Sequence, residues 1–228
     1  MREHTILLCL AACCLLVCGC PTPPDGQTPD APAGQLDPAP KKLGPHELDG
    51  EGFITNWLIV GPFPNPGERP NNKGFHVDYL SKYGGEIKYV PAEGRAVVVD
   101  AKTTVKWGRY VSDGRTIRFM DVTHIGLDWN LDDILTYSAC WIECDKDTDV
   151  QIRIGSDDGY KLWIDHKLVG SEHVYRSPEV DQETYPMKLS KGMHLILIKV
   201  DQDYGSFEFM LRVVTPEGKK APGVKVWN

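Results

Sequence analysis

The sequence predicts an all-β domain, a sandwich or barrel of short strands behind a disordered N-terminal tether. Two observations predict the strands. Short apolar runs recur from about residue 53 onward, each cut off by Gly, Pro, Asn or Asp, which is the punctuation of strands and tight turns. No amphipathic helix of three turns interrupts them. A third observation predicts the tether: residues 21–50 hold eight of the 17 prolines, with little between them that could be buried.

The N-terminus, "MREHTILLCLAACCLLVCGC", has a polar start and an apolar run from Ile6 to Cys18. The run is too short for a mature transmembrane helix and reads as the core of an export signal. Its ending, "VCGC", resembles a bacterial lipobox. That resemblance implies a signal peptide over 1–19 and lipidation of Cys20, so that the chain is anchored to a membrane rather than spanning it. Residues 20–52 form the Pro-rich linker, whose proline-dense stretch 21–50 extended as polyproline II would reach roughly 90 Å. The sandwich is assigned to 53–228.

The body is read strand by strand. "FITNWLIVGPFPN" is an apolar strand stopped at Gly61-Pro62. A turn-rich stretch follows from Pro64 to about Gly94, with a short helix near Val77 to Lys82. Further strands are expected at 96–100, 103–107, 135–144, 149–155, 160–165, 184–189, 193–200 and 207–215. Val150, Ile152 and Ile154 share one face, as do Tyr160, Leu162 and Ile164, the alternation of a half-buried strand. "HLILIKV" is instead apolar on both faces, as a central strand covered on each side would be. Cys140 and Cys144 lie on one face of a regular strand with their Cα atoms roughly 13 Å apart. That is too far for a disulfide, so they read as buried thiols. His194 lies in the core-like strand as a structural residue. The "DHKL" hairpin calls for a left-handed residue at His166.

The formal net charge is −7, and no cluster of Lys and Arg of the kind that neutralises phosphates stands out, so nucleic acid is not expected as a partner. Enzyme classes fare no better. Asp157 and Asp158 are adjacent, whereas the two carboxyls of a glycosidase stand about 5–9.5 Å apart across the bond. No G-x-S-x-G, HExxH, P-loop or GxGxxG occurs. The histidines after residue 20 show no ligand spacing.

The stretch "IRIGSDDGYKLWIDHKLV", followed by "LSKGMHLILIKVDQDYGSFEFMLRVV", resembles the PA14 domain family. "NWLIVGPFPN" resembles the start of a related sandwich found beside sugar-processing modules. The resemblance implies a β-sandwich of jelly-roll type, frequently a carbohydrate-binding module. In its adhesin branch two consecutive aspartates joined by a cis peptide hold a Ca2+ that in turn holds sugar hydroxyls. Asp157 and Asp158 match that pair. Asp201 or Gln202 stands where the adhesins place an asparagine. In an extended trans chain the two Asp side chains point to opposite faces, and a cis bond would converge them. Ca2+ takes six to eight oxygens, which Asp157, Asp158, Asp201, Asp203, Gln202 and loop carbonyls could supply if the loops at 157–158 and 201–204 lie side by side. The alternative is that one Asp caps the Gly159 turn by accepting backbone N–H bonds. Trp163, Tyr175 and Tyr204 are the candidate platforms for a sugar ring.

Two functions are therefore carried forward. The first is a lipid-anchored, non-catalytic carbohydrate-binding module of the cell envelope, Ca2+-assisted, in the outer membrane or at the surface. The second is a structural or protein-interaction sandwich that docks an envelope protein and binds no sugar. The anchor is testable now: Cys20→Ser should leave the protein soluble or unprocessed on membrane fractionation, and unchanged membrane retention would remove the lipobox reading.

Overall fold

The computed structural model describes residues 41–67, 72–127 and 132–228. The expected signal peptide, Cys20 and most of the expected linker lie outside the described residues. Ala39–Asn228 form a compact unit of their own.

That unit is an all-β sandwich. The larger sheet contains β1 (His46–Glu47), β2 (Asn56–Pro64), β5 (Gly108–Val111), β7 (Ile134–Cys144), β9 (Tyr160–Ile164), β10 (Lys167–Glu172), β12 (Gly192–Gln202) and β14 (Val224–Trp227). Its order is β1-β14-β7-β12-β9-β10, with β2 pairing β7 and β5. The second sheet is β11-β8-β13-β6, formed by β6 (Ile117–Arg118), β8 (Thr148–Asp157), β11 (Glu183–Leu189) and β13 (Glu208–Val214). A separate hairpin pairs β3 (Ala96–Val98) with β4 (Thr104–Lys106). All the pairings are antiparallel.

The alternation read from the sequence decides which side chains enter the core. Val150, Ile152 and Ile154 from β8 meet Ile196, Ile198 and Val200 from β12 in the main cluster between the sheets. Tyr160, Leu162 and Ile164 join them, as do Cys140, Ile142 and Cys144. Both thiols are free and buried, and burial pushes both above the ordinary thiol range. A second cluster lies on the opposite face of β12. There Leu195 and Leu197 pack with Trp163, Trp141, Tyr137 and Leu58, beneath Leu80 and Tyr89 of the turn-rich segment and Val97 and Trp107 of the hairpin region that follows it. β12 is thus covered on both faces, as "HLILIKV" predicts.

That cover is pinned by a buried charge. The side chain of Lys199 is fully enclosed, and its Nζ lies 2.5 Å from Glu86. Nζ also donates to the carbonyls of Val77 at 2.7 Å and Phe75 at 3.3 Å. Tyr137 donates its hydroxyl to Glu86 at 2.7 Å. Burial lowers the Lys199 pKa, with the Glu86 charge opposing it. An unpaired ammonium at this depth would be costly, so the turns around Phe75 and Glu86 are held where they complete its bonds.

Several expectations are corrected. The helix read near Val77 to Lys82 is instead two short 3-10 turns, Gly74–His76 and Ser81–Tyr83, ending where Gly84 turns left-handed at φ 101°. The ordered body starts before Phe53: Leu43 exchanges backbone bonds with Asn228, and β1 pairs β14, so the linker ends earlier than residue 52. β1, β5, β6 and β14 lie outside the strands that the sequence predicts, and β10 is implied only as the second arm of the "DHKL" hairpin. In the β9–β10 hairpin, Asp165 and His166 both take positive φ, 48° and 67°. His194 bonds Asp165 at 2.6 Å and the Ser190 carbonyl at 2.8 Å.

Removing Glu86 should strand the Lys199 charge. We expect Glu86→Ala to lose about 3–5 kcal/mol in urea unfolding, and Glu86→Leu with Lys199→Met to recover most of it. A loss below about 1 kcal/mol for Glu86→Ala would mean that the pair does not pin the cover.

Candidate functional site

β8 ends in the second sheet at Asp157, and β9 begins in the first sheet at Tyr160. The acidic pair therefore stands on the link that carries the chain from one layer to the other. β12 runs antiparallel to β9, with Val200 opposite Tyr160, so its end arrives at the same edge. The loops at 157–158 and 201–204 do lie side by side. The Asp158 N–H donates to the Asp201 carbonyl and the Asp201 N–H to the Gly159 carbonyl, both at 3.0 Å.

The Asp157–Asp158 peptide is cis, as the resemblance implies. Asp158 is fully buried. One of its carboxylate oxygens accepts the Arg176 N–H at 2.9 Å, and the other accepts the Asp203 N–H at 3.0 Å. One side chain thus ties together three loops: its own, the one after β12, and the one between β10 and β11. Its backbone carbonyl accepts the Ser156 hydroxyl at 2.8 Å.

The third loop brings Arg176. Its guanidinium grips both carboxylate oxygens of Glu183, at 2.5 and 3.0 Å, and bonds the Ser156 carbonyl and hydroxyl at 3.2 and 3.0 Å. A two-pronged pair of this kind fixes orientation as well as charge. These loops enclose a cavity of about 220 Å³ lined by Asp157, Asp158, Tyr175, Arg176, Ser177 and Tyr204, with Gly205 and Ser206.

Tyr175 and Tyr204 come from different loops and stand with ring centroids 5.0 Å apart and planes tilted by 31°. They are 54% and 57% exposed. The Tyr175 hydroxyl is pushed up to about 12, first by its hydrogen bond with Tyr204, then by burial and by the charges of Tyr204, Asp158 and Asp157. The rings and the acidic pair therefore share one electrostatic environment.

The other sequence candidates fall elsewhere. Trp163 is only 3% exposed and packs in the second core cluster. It is not a sugar platform in this fold, because the turn-rich segment covers its face. Asp201 is buried and accepts a bond from Asn65 at 3.2 Å, with His173 at 3.6 Å. Gln202 is buried too, and among the described residues its side-chain amide has no hydrogen-bond partner. Asp201, Gln202 and Asp203 do not line the cavity. Among the described residues no three His, Cys, Asp or Glu side chains converge as metal ligands. Arg176, Ser177, Ser206 and Asn65 were not singled out in the sequence. Arg176 is preceded by one of the candidate tyrosines, and only the loop bonds give it a role.

The chain matches no protein-family model and no curated protein. Among solved structures it is similar to part of a β-glucosidase from Kluyveromyces marxianus, with 11% identity, a TM-score of 0.41, 54% of this chain covered and 16% of that one. It is also similar to part of a GH31 α-xylosidase from Xanthomonas citri, with 16% identity, a TM-score of 0.36, 78% of this chain covered and 18% of that one. The chain thus spans less than a fifth of the length of either enzyme.

The brace has a measurable consequence. Asp158→Ala removes the acceptor of two backbone N–H groups, each worth about 1–3 kcal/mol when left unsatisfied. We expect a loss of about 2–5 kcal/mol in urea unfolding, with Asp157→Ala losing less. If Asp157→Ala proves the more damaging, the tie between the loops does not run through Asp158.

Proposed function

We propose that this is a PA14-like, non-catalytic carbohydrate-binding module, exported and lipid-anchored through Cys20 to the bacterial cell envelope. The observation that carries the reading is the exposed pair Tyr175 and Tyr204 beside a cavity floored by Asp157 and Asp158. An aromatic face packs against the C–H face of a pyranose, and carboxylates accept from its hydroxyls; sites of this kind combine an apolar wall with a few placed polar groups. The cavity is small, which suits one terminal sugar rather than an internal stretch of chain. Ca2+ belongs to the proposal as a ligand of Asp157 and Asp158 with loop carbonyls, and of Asp201 and Asp203 where their loop reaches it.

A second reading is favoured by a specific observation. Both oxygens of Asp158 are engaged by backbone N–H groups, which is the work of a structural brace. On this reading the sandwich docks an envelope protein and binds no sugar.

A glycan array with Ca2+ and with EDTA separates the two. We expect glycan binding that falls about tenfold, or 1.4 kcal/mol, in Tyr204→Ala and in Tyr175→Ala, each folded by circular dichroism. Binding that survives EDTA removes the metal and keeps the sugar. An empty array under both conditions removes the sugar and leaves the protein-docking reading.

A further inference from the structure

Residues 72–109, which include the cover over β12, carry seven Lys and Arg against four Asp and Glu. This stretch is therefore +3 in a chain of formal net charge −7, and the remainder is −10. Its acids are taken up locally. Glu86 pairs with Lys199 and accepts from Tyr137. The Asp78 carboxylate accepts the N–H groups of Leu80 and Glu86. Asp100 accepts those of Lys102 and Thr103, and Glu93 pairs with Arg109. Lys73, Lys82, Lys88, Lys102 and Lys106 are exposed.

Apolar side chains stand exposed among these lysines: Val77, Tyr83, Ile87 and Val90, at 41%, 37%, 57% and 38%. Contacts within the turns hold together the backbone that carries them. The Tyr83 ring meets Tyr89 edge-on at 6.0 Å. The N–H groups of Lys88 and Tyr89 donate to the Gly85 carbonyl. Gly84 lies against the Lys88 Cβ. Asp78, next to Val77, holds the Glu86 N–H next to Ile87.

We propose that the outer face of Val77–Val90 is a docking surface for an anionic lipid bilayer. Ammonium groups reach lipid phosphates while aliphatic and tyrosyl side chains enter the interface, and neither needs a shaped partner. The side chains project singly from turns, which suits a fluid surface better than a folded acidic partner with its own contours. Each lysine near an anionic surface adds on the order of fivefold to partitioning, so Lys82 and Lys88 with their neighbours are enough for measurable binding. The inference is independent of both the sugar site and Cys20.

The test uses residues 39–228, the compact unit, so that neither an export signal nor an acyl chain contributes. Sedimentation with phosphatidylcholine vesicles is compared with sedimentation on vesicles of phosphatidylcholine and phosphatidylglycerol. We expect binding to the mixed vesicles only, weakening as salt is raised. K82E/K88E should bind on the order of tenfold more weakly or worse, and Ile87→Ser with Val90→Ser should weaken binding without abolishing the salt dependence. All these side chains are exposed, so unchanged near-ultraviolet circular dichroism confirms that the variants fold. Absence of binding to the mixed vesicles, equal binding to both kinds, or unimpaired binding by K82E/K88E overturns the proposal. Retention on an acidic peptide column without vesicle binding overturns it in favour of a protein partner.

Discussion

The structure turns on a constraint at β12, a strand that is apolar on both faces. Ile196, Ile198 and Val200 need one layer, and Leu195 and Leu197 need another. The second sheet supplies the first layer by ordinary sandwich packing. The other layer has few strands of its own, only 3-10 turns and a small hairpin. Apolar burial of Leu80, Tyr89 and Trp107 draws it down, at about 1.5–3 kcal/mol for each large side chain, but burial is non-directional. Lys199 supplies the direction. Its ammonium is satisfied only when Phe75, Val77 and Glu86 stand in one arrangement, which selects a single placement for a segment without a repetitive ladder.

The loop cluster inherits its geometry from the same strand. One residue past Val200, the backbone of Asp201 exchanges bonds with the Asp158–Gly159 turn, while its side chain reaches Asn65. Asn65 in turn accepts the N–H of Phe75 at 2.9 Å, the residue whose carbonyl receives Lys199. Phe75 also stacks on His173 at 4.1 Å, two residues before Tyr175. The cover and the tyrosine-bearing loop are therefore parts of one bonded system. Substitutions in the cover should be judged at the loops as well as by global stability.

What the sequence disclosed depended on whether the signal was local. Period-two alternation is local, so the faces of β8, β9 and β12 were legible. So was the acidic pair, because Ser156–Gly159 is a contiguous motif whose strands on either side could be read. Two-residue strands such as β1 and β6 exist only because a distant partner pairs with them, and "HE" at 46–47 carries no strand signal. Trp163 shows the same limit in another form. Its face was legible, but the segment that covers that face starts about a hundred residues earlier, so exposure could not be read. Lys199 is a lone charge between Ile198 and Val200, and nothing near it in the sequence announces Glu86.

Charge gives the sharpest case of an average that misleads. A net −7 suggests an acidic surface, and lysines spread over residues 73–106 do not register as a cluster along the chain. Composition alone could not have separated them from the four acids of the same stretch. The fold does: Glu86 is drawn inward by Lys199, Asp78 is occupied by two backbone N–H groups, and the lysines remain on the outside. The buried pair that places the cover thus also strips a carboxylate from its outer face. One interaction sets both the position of the segment and the sign of the surface it presents.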